Sequence, residues 1–202
     1  ADWTSKFDKN NTVTETFTTK NGTVQLPLMH QNVLINYVKN DTYAAIEIPY
    51  GNGYWKMMVM LPEEGKTIDD IISLLAQKGI STKTYTGGEG DMFAPYEVDL
   101  KLPRYETDSD TDNLGGKGLV DVLKAMGIQL AFNSDYAEIP NMCEGRPVYI
   151  EMMRQKAKIK VNEEGSEAVA VTVAGMENST SAGEPTYPKA TFHANRPFVY
   201  VI

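Results

Sequence analysis

The chain has 202 residues, 42% of them hydrophobic, and carries 19 Lys and Arg against 27 Asp and Glu for a net charge of −8. That length and apolar content suffice for a real core and exclude a disordered chain, while the acidic balance argues against a nucleic-acid partner. No apolar run reaches the roughly 18 residues of a membrane span, no basic run suits anionic lipid, and the lone Cys143 excludes a disulfide framework.

In chain order, the first third reads as sheet. "TETFTT" and "TVQLPLM" flank Asn21-Gly22, a strong hairpin signal, and predict two strands. "VLINYVKN", "TYAAIEIPY" and "YWKMMVMLP" follow as further strands, the last two separated by "GNG". "TIDDIISLLAQKG" then predicts a helix. Thr67 and Asp70 form a capping box, Ile68, Ile71, Ile72 and Leu75 form the apolar stripe, and Gly79 sits where a C-cap belongs. "GKGLVDVLKAMG" predicts a second helix with Leu119, Val122, Leu123 and Met126 on its apolar side. "VYIEMMRQKAKIKV" reads as one long strand. Many strands and few helices predict an α+β fold, and no linker divides residues 1–202 into more than one domain.

The residues offer little for catalysis. Cys143 with His30 or His193 would make a nucleophile and base, but nothing in the sequence brings them together. Asp108, Asp110 and Asp112 have calcium-loop spacing, yet Asn113 and Leu119 stand where such a loop needs Gly and Glu, so a solvated acidic loop is expected and no metal. Met57, Met58 and Met60, like Met152 and Met153, read as core filler. Asn10, Asn21, Asn40 and Asn178 each open an N-x-Ser/Thr sequon, which matters only in a glycosylating host. No cofactor is called for.

The informative stretch is "VNEEGSEAVAVTVAGMENSTSAGEPTYPKATFHANRPFVYVI", residues 161–202. From Ser166, a period of two puts Ser166, Ala168, Ala170, Thr172, Ala174 and Met176 on one face. Glu167, Val169, Val171, Val173 and Gly175 fall on the other. A row of small residues opposite a row of valines suits a strand that slides between two existing strands. Pro185 and Pro188 beyond it resist joining an interior strand. A plain edge strand followed by a surface loop fits the pattern equally well.

"VNEEGSEAVAVTV" followed by "FHANRPFVYVI" resembles the hinge, reactive-centre loop and following strand of the serpins. "ADWTSKF", "LPLMHQ", "AAIEIPYGNGYWKMMVMLP", "VDLKLPRYE", "LVDVLKAMGIQLAF" and "QKAKIKVNEEG" recur in serpin order, so the resemblance covers essentially the whole chain. It implies a serpin-like fold of mostly antiparallel sheets, truncated so that the N-terminal half and the last strand are absent. An end within the apolar "RPFVYVI" agrees with that expectation.

The resemblance further implies an inhibitor and no enzyme: bait for a serine or cysteine endopeptidase, trapped as an acyl-enzyme while the cleaved loop inserts into the central sheet. The reactive loop would span about residues 163–192. Glu163, Glu164 and Gly165 would be the hinge, with Ser166, Ala168, Ala170 and Thr172 on the inserting face. Trp3 would stand at the breach where insertion begins, and Gln155 in the shutter strand where serpins often carry His. Counting forward from Gly165 puts the scissile bond at Ser179–Thr180; counting back from Pro197 puts it at Thr186–Tyr187. A secreted or surface setting, an endopeptidase partner and the missing half of the same serpin complete these expectations. The alternative is a non-inhibitory relative or a β-rich binding module.

Overall fold

The computed structural model describes residues 1–79, 92–111, 118–137, 139, 148–166 and 186–202. The chain divides into two units, residues 1–105 with 160–202, and residues 106–159.

The first unit is built on one sheet of seven strands: β1 (Val13–Thr19), β2 (Gly22–Lys39), β3 (Tyr43–Tyr50), β4 (Trp55–Pro62), β5 (Ala94–Pro103), β8 (Lys189–His193) and β9 (Val199–Val201). The order is β8-β5-β2-β3-β4-β9, with β1 also on β2. All pairings are antiparallel except β5 with β8. The Asn21-Gly22 hairpin forms as predicted, with Thr19 facing Gly22.

The two strands expected at "TVQLPLM" and "VLINYVKN" are one continuous strand, β2. Pro27 does not break it. The N–H and C=O of one strand residue point to the same side, and the Pro27 carbonyl accepts from Arg104 N at 2.9 Å, beyond the last β2–β5 pair, Leu28 with Pro103. The N–H that proline lacks therefore falls where the β5 ladder has already ended. β2 pairs with β1 over its first part and with β3 over its last, while Leu28 to Tyr37 pair with β5.

Alternation along these strands buries Val98, Leu100 and Leu102 of β5 and Phe192 of β8. Helix α1 (Ile68–Lys78) covers a cluster of Val38, Ala45, Met58, Met60 and Phe93 with Ile71. Its capping box is present: Asp70 N–H donates to Thr67 Oγ1, and Thr67 N–H to Asp70 Oδ2 at 2.8 Å. The apolar stripe is narrower than expected. Ile71 is fully buried and Leu75 packs beside it, but Ile72 is 52% exposed. Replacing Thr67 with alanine should destabilise the protein by about 1 kcal/mol, read by denaturant melting, with the sheet unchanged.

β6 (Tyr105–Asp110) pairs with β7 (Lys156–Val161), whose last two residues, Lys160 and Val161, belong to the first unit; in the second unit helix α2 (Leu119–Ala125) is followed by a 3-10 turn at Leu130–Phe132. The long strand expected from "VYIEMMRQKAKIKV" begins only at Lys156. β6 offers a ladder as far as Asp110, where a polar clasp replaces it: Thr111 N–H donates to Gln155 O at 3.0 Å, and Gln155 N–H to Thr111 Oγ1 at 2.7 Å. Residues 148–155 have no strand facing them among the described residues. Met152, expected in the core, is accordingly 76% exposed. Met57 and Met60, by contrast, are fully buried.

Candidate functional site

The site forms where β7 ends. Asn162 follows Val161, and its side-chain Oδ1 accepts from Glu164 N at 3.0 Å and Gly165 N at 3.2 Å. This local bonding is what an Asn ahead of a tight turn supplies. Asn162 N–H also donates to Gly165 O at 3.0 Å, and the chain reverses so that Ser166 faces Val161 in an antiparallel bridge.

The reversed segment is bonded on its other side too. Ser166 N–H donates to Ala1 O at 3.0 Å, Ala1 N donates to Ser166 O, and Asp2 bridges Gly165. Gly165 and Ser166 therefore already lie between β7 and the segment at residues 1–2, as the first two residues of an inserted strand would. Gly165 is required there, because a Cβ would sit 2.1 Å from Ala1 O.

Trp3 organises the surroundings. It is 2% exposed and stacks on Tyr50, with ring centroids 4.5 Å apart and planes 13° from parallel. Its Nε1–H donates to Asn162 O at 2.9 Å, its backbone N–H to Glu164 O at 2.9 Å, and Phe7 N–H to Glu163 O at 3.0 Å. Ser166 Oγ donates to the Tyr50 hydroxyl at 2.7 Å. Burial pushes the Tyr50 phenol up, with the Ser166 bond pulling the other way.

The two glutamates of this turn play different parts. Glu163 is 2% exposed; Thr12 Oγ1 donates to its Oε1 at 2.6 Å and Arg104 forms an ion pair with the same oxygen. Burial pushes its carboxyl up, yet the Arg104 guanidinium and Thr12 hydroxyl together hold it below the usual 4.5. Glu164 points to solvent between Lys6 at 2.8 Å and Lys9 at 3.1 Å, which hold its carboxyl low as well. The arrangement holds no nucleophile beside a base. What it can do is start a strand ladder and fix its register.

Of the residues singled out from the sequence, Trp3, Glu163, Glu164, Gly165 and Ser166 converge here. Gln155 does not join them; it closes the end of the β6–β7 pair through its backbone. Thr186 and Tyr187 lie on the return to β8, where Pro188 O accepts from Glu97 N at 2.9 Å. Ala168, Ala170, Thr172, Ser179, Thr180, Cys143, Asp112 and Asn178 lie outside the described residues. Among the described residues, no three His, Cys, Asp or Glu form a group able to hold a metal ion, and Asp110 pairs with Arg154. No helix among them is long and apolar enough to cross a membrane.

Sequence reasoning missed Tyr50, Arg104, Thr12 and Asn162. Asn162 alone carried a readable signal, an Asn preceding Glu-Glu-Gly.

Comparison with known proteins gives a consistent picture. The family model described as "Serpin (serine protease inhibitor)" matches residues 1–202. The chain is 32% identical over 203 residues to Antitrypsin of Bombyx mori, covering 99% of this chain and 48% of that protein. It is 32% identical to Antichymotrypsin-2 of the same species, covering 99% and 50%. Among solved structures, the serpin from Schistosoma mansoni superposes with a TM-score of 0.74 at 24% identity, covering 99% of this chain and 48% of that one. The chain thus spans about half the length of the curated relatives it matches.

Proposed function

The chain belongs to the serpin family, and from that premise we propose that it is the loop-bearing part of an inhibitor that traps a serine or cysteine endopeptidase. The observation that carries the reading is the placement of Gly165 and Ser166, bonded to β7 through Val161 and to residues 1–2 on the opposite side. A strand already started in register needs only to be extended. With Ser166 turned in toward Tyr50, the period of two would carry Ala168, Ala170 and Thr172 along the same buried face, where small side chains pass without clash.

In this reading the endopeptidase cuts the loop within residues 163–192, at Ser179–Thr180 or at Thr186–Tyr187, and is held as an acyl-enzyme. The released segment then continues the ladder begun at Ser166, each amide exchanging water for a strand partner. The protein is a suicide substrate and no hydrolase. Trp3 and Glu163 act by fixing the hinge. The insertion needs the other half of a serpin, and a secreted or cell-surface setting belongs to the same proposal.

The test uses the full-length protein incubated with elastase-, trypsin-, chymotrypsin- and papain-like enzymes. A covalent band that survives denaturation is the expected result, and the mass of the released C-terminal peptide chooses between Ser179 and Thr186. Clean cleavage by all four enzymes with no such band would establish a non-inhibitory relative.

A further inference from the structure

A four-residue turn ordinarily closes through its own backbone, the carbonyl of the first residue accepting from the N–H three residues on. The turn after β7 closes differently. Asn162 N–H donates to Gly165 O at 3.0 Å, but Gly165 N–H does not return the bond; it donates to the Asn162 side-chain Oδ1 at 3.2 Å. Glu164 N–H donates to the same oxygen at 3.0 Å. The Asn162 carbonyl, relieved of the turn, accepts from Trp3 Nε1 at 2.9 Å. We propose that Asn162 is a positioning residue whose side chain stands in for its own carbonyl so that Trp3 can be held, and that this exchange keeps Ser166 in register for the first step of insertion. The second clause rests on the trapping reading above.

The backbone by itself does not call for asparagine here. Asn162 has no positive φ, so alanine would adopt its conformation without strain. What the position needs is an acceptor. Trp3 is buried against Tyr50, and a buried indole N–H requires a partner. Trp3 meets the turn at a second carbonyl too, its backbone N–H donating to Glu164 O at 2.9 Å. It therefore spans the turn from one side while Asn162 Oδ1 fixes it from within. The same turn sets the bridge of Val161 with Ser166, whose hydroxyl donates to Tyr50 at 2.7 Å, and Tyr50 is the ring on which Trp3 stacks. Asn162, Trp3, Tyr50 and Ser166 thus close a ring of contacts that opens if residue 162 loses its acceptor.

Without Oδ1, the Glu164 and Gly165 N–H groups lose their shared acceptor. Gly165 N–H then regains one by taking the carbonyl of residue 162, and Trp3 must share that oxygen or leave it. The turn has two ways to close, one with Trp3 held and one with Trp3 released. The side chain at 162 selects the first.

The experiment follows full-length Asn162→Ala, Asn162→Gly and Asn162→Asp by two readouts. One is hydrogen exchange of the Trp3 indole N–H by NMR, its resonance identified by its loss in Trp3→Phe. The other is the ratio of cleaved product to covalent complex with an endopeptidase that the parent traps. Alanine and glycine remove the acceptor, and both are expected to speed indole exchange and raise the ratio about tenfold, the scale set by losing one or two hydrogen bonds. Aspartate keeps the acceptor and should match the parent in both. Asn162→Gly matching the parent would assign the position to turn preference and overturn the proposal. Parent-like indole exchange in both Asn162→Ala and Asn162→Gly, or an aspartate that restores neither readout, overturns it as well. Faster exchange with an unchanged ratio supports the hold on Trp3 and overturns the part in insertion. If the parent traps no endopeptidase, the trapping reading falls with the second clause, while indole exchange still decides the first. Should Asn162→Ala fail to fold, Asn162→Gly lacks the same acceptor and decides the same question.

Discussion

Gly165→Ala is expected to turn the proposed trap into a plain substrate. The added Cβ would lie 2.1 Å from Ala1 O and 2.7 Å from Asp2 Cα, both backbone atoms that no side-chain rotation can move. Residue 165 must then leave its bridge with Asp2. Ser166 leaves with it, giving up its bonds to Ala1 and its hydroxyl bond to Tyr50. Overpacking of this kind costs about 1–3 kcal/mol. The larger consequence is kinetic, since a ladder that cannot start cannot overtake hydrolysis of the acyl-enzyme. The ratio of cleaved product to covalent complex should rise steeply with any endopeptidase the parent traps. An unchanged ratio together with an unchanged melting temperature would mean that the bonded hinge position is not used.

Arg104→Ala should destabilise the protein while leaving the hinge sequence intact. It strands Glu163, a 2% exposed carboxylate, with Thr12 as its remaining side-chain donor. Removing one partner of a fully buried pair costs roughly 3–5 kcal/mol. Arg104 is 46% exposed, so about 2 kcal/mol is the appropriate expectation here. The pH dependence has a definite sign. The folded carboxyl of Glu163 titrates below its usual 4.5, so its contribution is fully present above that value and is lost as pH falls through the folded value. Parent and Arg104→Ala should therefore differ in denaturant melts at neutral pH and converge in acid. A difference that persists in acid would assign the effect to packing of the arginine stem.

The elements readable from the sequence are those whose cause is local. Asn21-Gly22 fixes a turn within four residues, and Thr67 with Asp70 fixes a helix start within one turn. Ser166 was recognisable because alternation and the Glu-Glu-Gly ahead of it are both short-range patterns. The misreadings have a cause outside the segment. "TVQLPLM" and "VLINYVKN" read as two strands, and their continuity comes from β5, which pairs with β2 from Leu28 to Tyr37 across the join. "VYIEMMRQ" looked like a strand because an apolar run does not reveal whether anything faces it. Tyr50, Arg104 and Thr12 were invisible for the same reason. Likewise His30 and His193 could be weighed only as partners for Cys143, since Asp99 joins them through the register of three strands.

The hinge also sets a schedule for folding. Its bonds to residues 1–7 join positions up to 165 residues apart, as between Ala1 and Ser166. Closing so long a loop gains nothing until both ends have arrived, whereas the β1–β2 and β3–β4 hairpins reward the chain immediately. During synthesis the early strands have time to assemble while residues 1–7 wait without partners from the hinge. The hinge is set late, by the same pairing on which the proposed trapping depends.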